Sequence, residues 1–163
     1  MPRLYLVRHA IAEERNAERW PDDALRPLSD RGARRFIEAA RGLRDLGMTP
    51  AVSLTSPYAR AVQTAALLET YAGWPAALQV DAFASDDIDA QVEALRALAA
   101  ETSVGVVGHE PHLSGLASWL LAGDGGTIEF DWRKGGIAAL EWNEPRAGGA
   151  QLVAFAPPRL LRR

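Results

Sequence analysis

Leu4-Tyr5-Leu6-Val7 is a short, continuously apolar stretch that ends directly in the polar pair Arg8-His9. Val104 to Val107 repeats this arrangement and is followed by Gly108-His109. Apolar runs of this length are typical of strands that are buried on both faces of a parallel sheet. The two stretches therefore predict buried strands that carry polar side chains at their carboxyl ends.

Helical patterns lie between the predicted strands. Ser29 predicts an N-cap, and apolar residues at helical spacing follow it until Gly47. Ser56-Pro57 predicts the cap and the first position of a second helix. Two more helices are predicted: one capped by Ser85 to Asp87, whose apolar stripe ends at Leu98 or Ala99, and one from Pro111 to about Leu121.

The other predicted strands are Ala51 to Leu54, Ala77 to Val80, Ile137 to Trp142 and Gln151 to Phe155. Strands that alternate with helices favour a mainly parallel sheet covered on both faces, and the last two strands are expected to form an antiparallel pair. The predicted fold class is α/β, a single-domain three-layer sandwich. The length predicts one domain over residues 1–163, with 157–163 as a basic, solvated tail.

The composition excludes several classes of protein. The absence of cysteine excludes disulfide scaffolds, thiol catalysis and cysteine-ligated metal sites. A formal net charge of −3 argues against a strongly basic nucleic-acid binder. No apolar run reaches the roughly 18–20 residues of a membrane span, and the apolar start is too short for a signal peptide. We therefore expect a cytoplasmic protein that binds neither nucleic acid nor a membrane.

Three polar clusters follow predicted strands: Arg8-His9, Ser56 to Arg60, and Gly108-His109. Ligands of such sheets bind at the carboxyl ends of the strands, where these clusters are expected to meet. A neutral imidazole is a competent nucleophile toward a phosphoryl group, and guanidinium groups bind phosphoryl oxygens in planar pairs. The set predicts a phosphoryl-transfer site with His9 as the nucleophile and with Arg8, Arg60 and His109 around the phosphoryl group.

Four motifs carry a resemblance to a known family. Leu4 to Ala10 resembles the signature of the histidine phosphatase superfamily, which includes the phosphoglycerate mutases. Thr55 to Ala65 resembles its second arginine motif, and Pro27 to Gly32 its helix start. Val107 to Pro111 resembles its second histidine motif in the form found in SixA-type phosphohistidine phosphatases. The order and spacing of the motifs imply the phosphoglycerate mutase-like fold.

The resemblance also implies the roles of single residues. His9 is implied to be the phosphorylated nucleophile, and Arg8, Arg60 and His109 are implied to complete the phosphate pocket. The implied intermediate is a phosphohistidine that water hydrolyses, with no metal and no cofactor. Ala10 stands where most of the superfamily has glycine, and we expect a methyl group to be tolerated there.

A general acid has no clear match in the sequence. Mutases and phosphomonoesterases of the superfamily carry a carboxylate that protonates an alkoxide leaving group. Asp86, Asp87 and Asp89 lie near the corresponding part of the chain, but we interpret them as helix-capping residues. Glu13 and Glu14 are interpreted as solvated charges. Because the P–N bond of phosphohistidine is more labile than a phosphate ester, a missing acid favours phosphohistidine as the substrate.

Two further features leave alternatives open. His109-Glu110-Pro111-His112 does not have the spacing of a zinc motif, so we interpret it as part of the phosphate pocket, with His112 either in the pocket or at the surface. Residues 11–28 predict a long loop in which Trp20 either contacts a partner protein or packs against the domain.

The sequence thus predicts a phosphatase that hydrolyses phosphohistidine on a protein in signal transduction. Its predicted partner is a phosphorylated protein, with a histidine-containing phosphotransfer domain as one candidate, or a small phosphate ester. Two alternatives remain: a small-molecule phosphomonoesterase of the same superfamily, and a phosphate-binding module without turnover.

Overall fold

The computed structural model describes residues 2–98 and 103–162 of the chain. The predicted apolar position at Ala99 and the end of the predicted tail at Arg163 lie outside this part. The described strands are β1 (Arg3–Arg8), β2 (Val52–Thr55), β3 (Leu78–Gln79), β4 (Val104–Gly108), β5 (Ile137–Trp142) and β6 (Ala150–Ala156). The described helices are α1 (Asp30–Asp45), α2 (Ala59–Ala72), α3 (Ile88–Arg96), α4 (His112–Ala122) and α5 (Pro158–Leu161).

The six strands form one mixed sheet in the order β3-β2-β4-β1-β5-β6. The first four strands of this order run parallel, β5 runs antiparallel to β1, and β6 pairs antiparallel with β5. The two stretches that open with Leu4 and Val104 are direct neighbours at the centre of the sheet. The predicted parallel sheet and its final antiparallel pair are confirmed.

Side chains of the central strands alternate between two hydrophobic cores, one on each face of the sheet. Leu4 and Leu6 of β1 pack with residues of α3 and α4. Tyr5 and Val7 pack on the opposite face with residues of α1, α2 and α5. Because successive side chains of a strand point to opposite faces, one short strand contributes to both cores. This confirms the predicted single-domain, three-layer α/β sandwich of the phosphoglycerate mutase-like type.

The start of α1 agrees with the prediction, whereas the start of α2 does not. The Ser29 hydroxyl accepts a hydrogen bond from the Gly32 amide, 3.0 Å away, and caps α1. The prediction that Ser56-Pro57 caps α2 is wrong, because the helix begins at Ala59 after Tyr58, which makes no side-chain cap bond. The Ser56 hydroxyl instead bonds to a histidine at the carboxyl edge of the sheet.

The carboxyl-terminal segment packs on the domain, unlike the solvated tail that the sequence predicts. Residues Pro158–Leu161 form α5, and Leu161 is only 4% exposed. The contact to α1 is so close that a β-carbon on Gly42 would lie 1.8 Å from the Leu161 carbonyl oxygen. Glycine at position 42 therefore lets the terminal segment reach the core.

Within residues 2–98 and 103–162, none of the helices is both long and apolar enough to cross a bilayer.

Candidate active site

The sheet register brings the predicted site residues of three strands together. Arg8 lies opposite Gly108, and Thr55 lies opposite Val107. His9, Ser56 and His109, which come directly after these positions, therefore meet at the carboxyl edge. The imidazole centroids of His9 and His109 are 5.1 Å apart.

His9 is held by its own backbone and by its neighbours. Its amide donates to the Gly108 carbonyl at 3.0 Å, and its Nδ1 lies 2.7 Å from the Ala10 carbonyl oxygen. Since a carbonyl only accepts, Nδ1 carries the proton and Nε2 keeps a free lone pair. Burial, together with the positive charges of Arg60 and Arg8 and the neighbouring His109, lowers the pKa of His9 to about 3. His9 is thus neutral at neutral pH, and its unprotonated Nε2 is chemically competent as a nucleophile.

His109 is oriented by Ser56. His109 Nε2 lies 2.7 Å from the Ser56 hydroxyl oxygen, which also accepts the Tyr58 amide proton at 3.2 Å. We assign the hydroxyl proton to the bond with Nε2, so that His109 Nδ1 carries the N–H. Burial, with Arg60 nearby, lowers the pKa of His109 to about 3. His109 can therefore donate a hydrogen bond from Nδ1 without being charged.

Arg60 is held by the loop between β1 and α1. Its Nη1 donates to the Asp23 carbonyl at 2.8 Å, and its Nη2 lies 3.0 Å from the Asp23 carboxylate. The same carboxylate accepts a bond from Arg26 Nε at 2.8 Å, and this bond contributes most to the lowered pKa of Asp23. Tyr58 lies beside both Arg60 and His109. The centroid of its ring is 5.0 Å from the Arg60 guanidinium carbon and 5.0 Å from the centroid of the His109 ring.

Arg8 is anchored by the chain segment that precedes β5. Its Nη1 donates to the Trp132 carbonyl oxygen at 2.6 Å. Burial lowers the pKa of Arg8, and burial lowers that of Arg60 as well. Both nevertheless stay cationic, because a guanidinium group keeps its proton in proteins.

Three buried nitrogen atoms of this cluster have no hydrogen-bond partner in the described part of the chain: Arg8 Nε, Arg60 Nε and His109 Nδ1. A buried donor without a partner is costly, so such atoms are uncommon unless a ligand satisfies them. All three belong to residues that the sequence predicts for the phosphate pocket. Three donors beside a neutral imidazole suit a tetrahedral oxyanion such as a phosphoryl group.

The electrostatic surroundings also favour an anion. Burial lowers the pKa of the Lys134 ammonium group, and the positive charges of Arg8, Arg26, Arg15 and Arg60 lower it further. The ammonium group of Lys134 is therefore close enough to several positive charges to be repelled by them. A phosphoryl dianion that enters this region gains favourable interactions with all of them.

Two positioning contacts were not predicted from the sequence. Thr64 Oγ1 accepts the Ala10 amide proton at 3.0 Å and donates to the Arg60 carbonyl at 2.7 Å. Thr64 therefore connects the motif that contains His9 with the motif that contains Arg60. Its position one helical turn after Arg60 is a signal that could have been used. Asp23 lies 37 residues from Arg60 in a loop without periodicity, and the sequence offers no comparable signal for that contact.

The carboxylates considered as general acids have other contacts. Asp87 caps α3 by accepting the Ala90 amide proton at 3.0 Å, and Asp86 and Asp89 are exposed. Glu110 accepts hydrogen bonds from the amide and the hydroxyl of Ser114, and burial raises its pKa. Glu110 follows His109 directly and is the carboxylate that sequence reasoning did not weigh.

His112 is the first residue of α4 and lies three residues after His109. His112 Nδ1 is buried without a partner among the described residues. No group of three or more histidine, aspartate or glutamate side chains suited to a metal ion occurs within residues 2–98 and 103–162.

Known proteins are similar to this chain. The profile of the Histidine phosphatase superfamily (branch 1) matches residues 4–83, which include Arg8, His9 and Arg60. An uncharacterised protein of Picosynechococcus is 31% identical over an alignment of 167 positions, gaps included. The alignment covers 97% of this chain and 93% of that protein. The chain belongs to the histidine phosphatase superfamily. Membership supports the assignment to the hydrolases.

Solved structures of this superfamily have the same fold. The protein histidine phosphatase SixA complexed with tungstate superposes with a TM-score of 0.83 at 23% identity, covering 98% of this chain and 99% of that one. A Nakamurella multipartitia protein that carries the SixA name gives 0.75 at 26% identity, with 96% of both chains covered. The predicted family is thereby confirmed, and the fold extends over the part of the chain that contains His109.

Proposed function

We propose that this member of the histidine phosphatase superfamily hydrolyses phosphohistidine on a protein, through a phosphohistidine intermediate at His9 and without a metal ion. The observation that carries the proposal is a set of three donors without partners among the described residues, Arg8 Nε, Arg60 Nε and His109 Nδ1, beside a neutral His9. The donors bind the phosphoryl oxygens, and His9 supplies the nucleophile.

In the first step, His9 Nε2 attacks phosphorus and the P–N bond to the substrate imidazole breaks. The substrate ring carries a proton on its other nitrogen, so it leaves as neutral imidazole and needs no proton from the enzyme. His9 keeps its Nδ1 proton on the Ala10 carbonyl, so phospho-His9 is a cationic ring. The two arginines and His109 Nδ1 stabilise the charge on the equatorial oxygens.

In the second step, water attacks phosphorus and the bond to His9 Nε2 breaks. The electron pair of that bond returns to a ring that still carries its Nδ1 proton, so His9 leaves as neutral imidazole. The protons of the attacking water depart with phosphate. Because both leaving groups are imidazoles, neither step depends on a carboxylic acid.

The experiment compares phosphate release from a peptide with one N-phosphohistidine and from the same peptide with phosphoserine. We expect release from the phosphohistidine peptide, insensitivity to EDTA, and acid-labile phosphate on the protein after rapid quenching. His9→Ala should abolish release and labelling. A rate that disappears with EDTA, or a preference for phosphoserine, would contradict the proposal.

A small-molecule phosphomonoesterase is the second candidate, and Glu110 is the observation that favours it. Its raised pKa and its position next to His109 suit a proton donor for an alkoxide. Its two hydrogen bonds to Ser114 argue for helix capping instead. Glu110→Gln separates the candidates, since it keeps one capping oxygen but cannot donate the carboxylic proton. A loss confined to ester substrates would support the second candidate.

The predicted phosphotransfer-domain partner, the role in signal transduction and the cytoplasmic location stay predictions.

A further inference from the structure

An open groove of about 840 Å³ begins at Arg8 and runs along the carboxyl-terminal segment. It lies between α1, the segment before β5 and α5. Its lining contains six basic side chains and one acidic side chain, Asp131, which pairs with Arg133 at 2.9 Å. The basic residues are Arg8, Arg35, Arg133, Lys134, Arg159 and Arg162. The groove is thus strongly positive in a chain whose net charge is −3.

The packing of α5 on the domain creates this surface. Leu161 is buried against α1, and Gly42 permits the close approach. Arg159 and Arg162, which lie two residues before and one residue after Leu161, line the same groove as Arg35 of α1. Within the described chain, none of these three arginines has an ion-pair partner at 4.0 Å or less. Their charges are therefore available to a ligand.

The shape and composition indicate what the groove binds. Small-molecule pockets are mostly apolar and enclose most of their ligand, whereas this groove is open and charged. Apolar side chains, including Ile11, Phe155 and Pro157, line the groove beside the arginines. A folded protein surface offers acidic and apolar groups together and fits both features.

We infer that the groove is the docking surface for an acidic segment of the protein that carries the phosphoryl group. The groove starts at Arg8, so a segment bound there extends directly from a phosphorylated side chain in the pocket. The inference rests on the proposed function for the phosphoryl chemistry, but acidic-peptide binding can be measured without turnover.

Two peptides of equal length test the binding. One carries aspartate and glutamate around a central histidine, and the other carries asparagine and glutamine at the same positions. Fluorescence anisotropy with unphosphorylated peptides should show at least about tenfold tighter binding of the acidic peptide, and this difference should shrink as salt is added.

Two double variants are compared. Arg35→Glu/Arg159→Glu changes the groove, and Arg34→Glu/Arg96→Glu, outside the groove, is the matched control. Arg34 neighbours Arg35 on α1 but does not line the groove, and Arg96 is exposed on α3, on the other face of the sheet. Both pairs change the net charge equally. We expect the groove pair to lose the preference for the acidic peptide and the other pair to keep it.

The N-phosphohistidine forms of the two peptides then separate the two proposals. The wild-type rate on the neutral peptide reports on the proposed function, and the ratio of kcat/KM between the peptides reports on the groove. We expect the ratio to fall at least about tenfold in the groove pair, with free phosphohistidine cleaved within about threefold of wild type.

Three results would overturn the inference. They are equal binding of both peptides to the wild-type protein, equal loss of preference in both variant pairs, and tighter groove-dependent binding of a single-stranded oligonucleotide than of the acidic peptide. Failure to cleave any phosphohistidine substrate, with acidic-peptide binding intact and groove-dependent, would contradict the proposed function alone.

Discussion

The proposed phosphate pocket has a side built by the sheet and a side built by a loop. On the sheet side, His9 and His109 directly follow adjacent parallel strands, and the His9 amide is bonded across to Gly108. On the loop side, Arg60 is held by Asp23, whose side chain is 45% exposed. Ladder hydrogen bonds fix the first side, whereas one partly solvated carboxylate fixes much of the second. One pocket therefore combines anchoring by main-chain ladder bonds with anchoring by a partly solvated carboxylate.

Apart from the loss of the proposed nucleophile His9, the largest effect is expected on the sheet side, at His109. His109→Ala removes the Nδ1 donor, and the loss of one preorganised donor costs about 10²- to 10³-fold in rate. Phosphate release from the N-phosphohistidine peptide measures the change in kcat, and the thermal unfolding midpoint checks that the variant is folded. A loss below about tenfold in a folded variant would show that His109 does not contact the phosphoryl group.

A smaller effect is expected on the loop side, at Asp23. Asp23→Ala removes the carboxylate that contacts Arg26 and Arg60, while the main-chain bond to Arg60 remains. We expect kcat/KM to fall about tenfold and the free energy of unfolding to fall by about 1–3 kcal/mol, since the buried Arg26 loses its carboxylate partner and keeps its bond to the Glu13 carbonyl oxygen. Denaturant unfolding and steady-state kinetics measure the two changes.

Asp22→Ala is the matched control for this prediction, because Asp22 caps the same short turn by accepting the Ala24 amide proton and does not contact Arg60 in the structure. It should cost some stability and leave kcat/KM within about threefold. Higher activity of Asp23→Ala would mean that the carboxylate competes with phosphate for Arg60, which would reverse the role assigned to the loop.

A several-fold effect is expected for Ser56, whose hydroxyl bonds to His109 Nε2. Ser56→Ala leaves His109 Nε2 without its partner, so the ring no longer favours the Nδ1–H tautomer. We expect about a fivefold loss in kcat, within the usual cost of one hydrogen bond. Nitrogen NMR shifts of the ring report the tautomer directly. Ser53→Ala, at a buried serine three residues earlier in β2, should change neither the shifts nor the rate.

The pH dependence of stability tests whether both rings are neutral. The pKa values of His9 and His109 are about 3 in the folded protein, against about 6.5 when unfolded. The unfolded chain therefore binds more protons below pH 6.5, so stability falls as pH falls through this range. Each ring contributes a slope of up to about 1.4 kcal/mol per pH unit. A double His9→Asn/His109→Asn variant should show a clearly shallower slope between pH 6 and 5 in denaturant unfolding.

The sequence predicted the sheet side far better than the loop side. Continuous apolar runs identify β1 and β4, and parallel pairing then brings His9 and His109 together. The contact of Arg60 with Asp23 depends on the path of an aperiodic loop, which no local pattern encodes. Ser56 was misassigned because a serine before a proline is a common cap, and only the tertiary neighbour His109 shows its other partner. The basic tail was misjudged because the burial of Leu161 depends on Gly42, far away in sequence.

Main-chain carbonyl oxygens hold three of the four predicted site residues: that of Trp132 holds Arg8, that of Ala10 holds His9 and that of Asp23 holds Arg60. Every amino acid carries this acceptor, so no point mutation at the accepting position deletes it chemically. The orientation of the nucleophile is therefore buffered against sequence drift. That buffering explains how position 10 can carry the methyl group of alanine while His9 keeps its hydrogen bond.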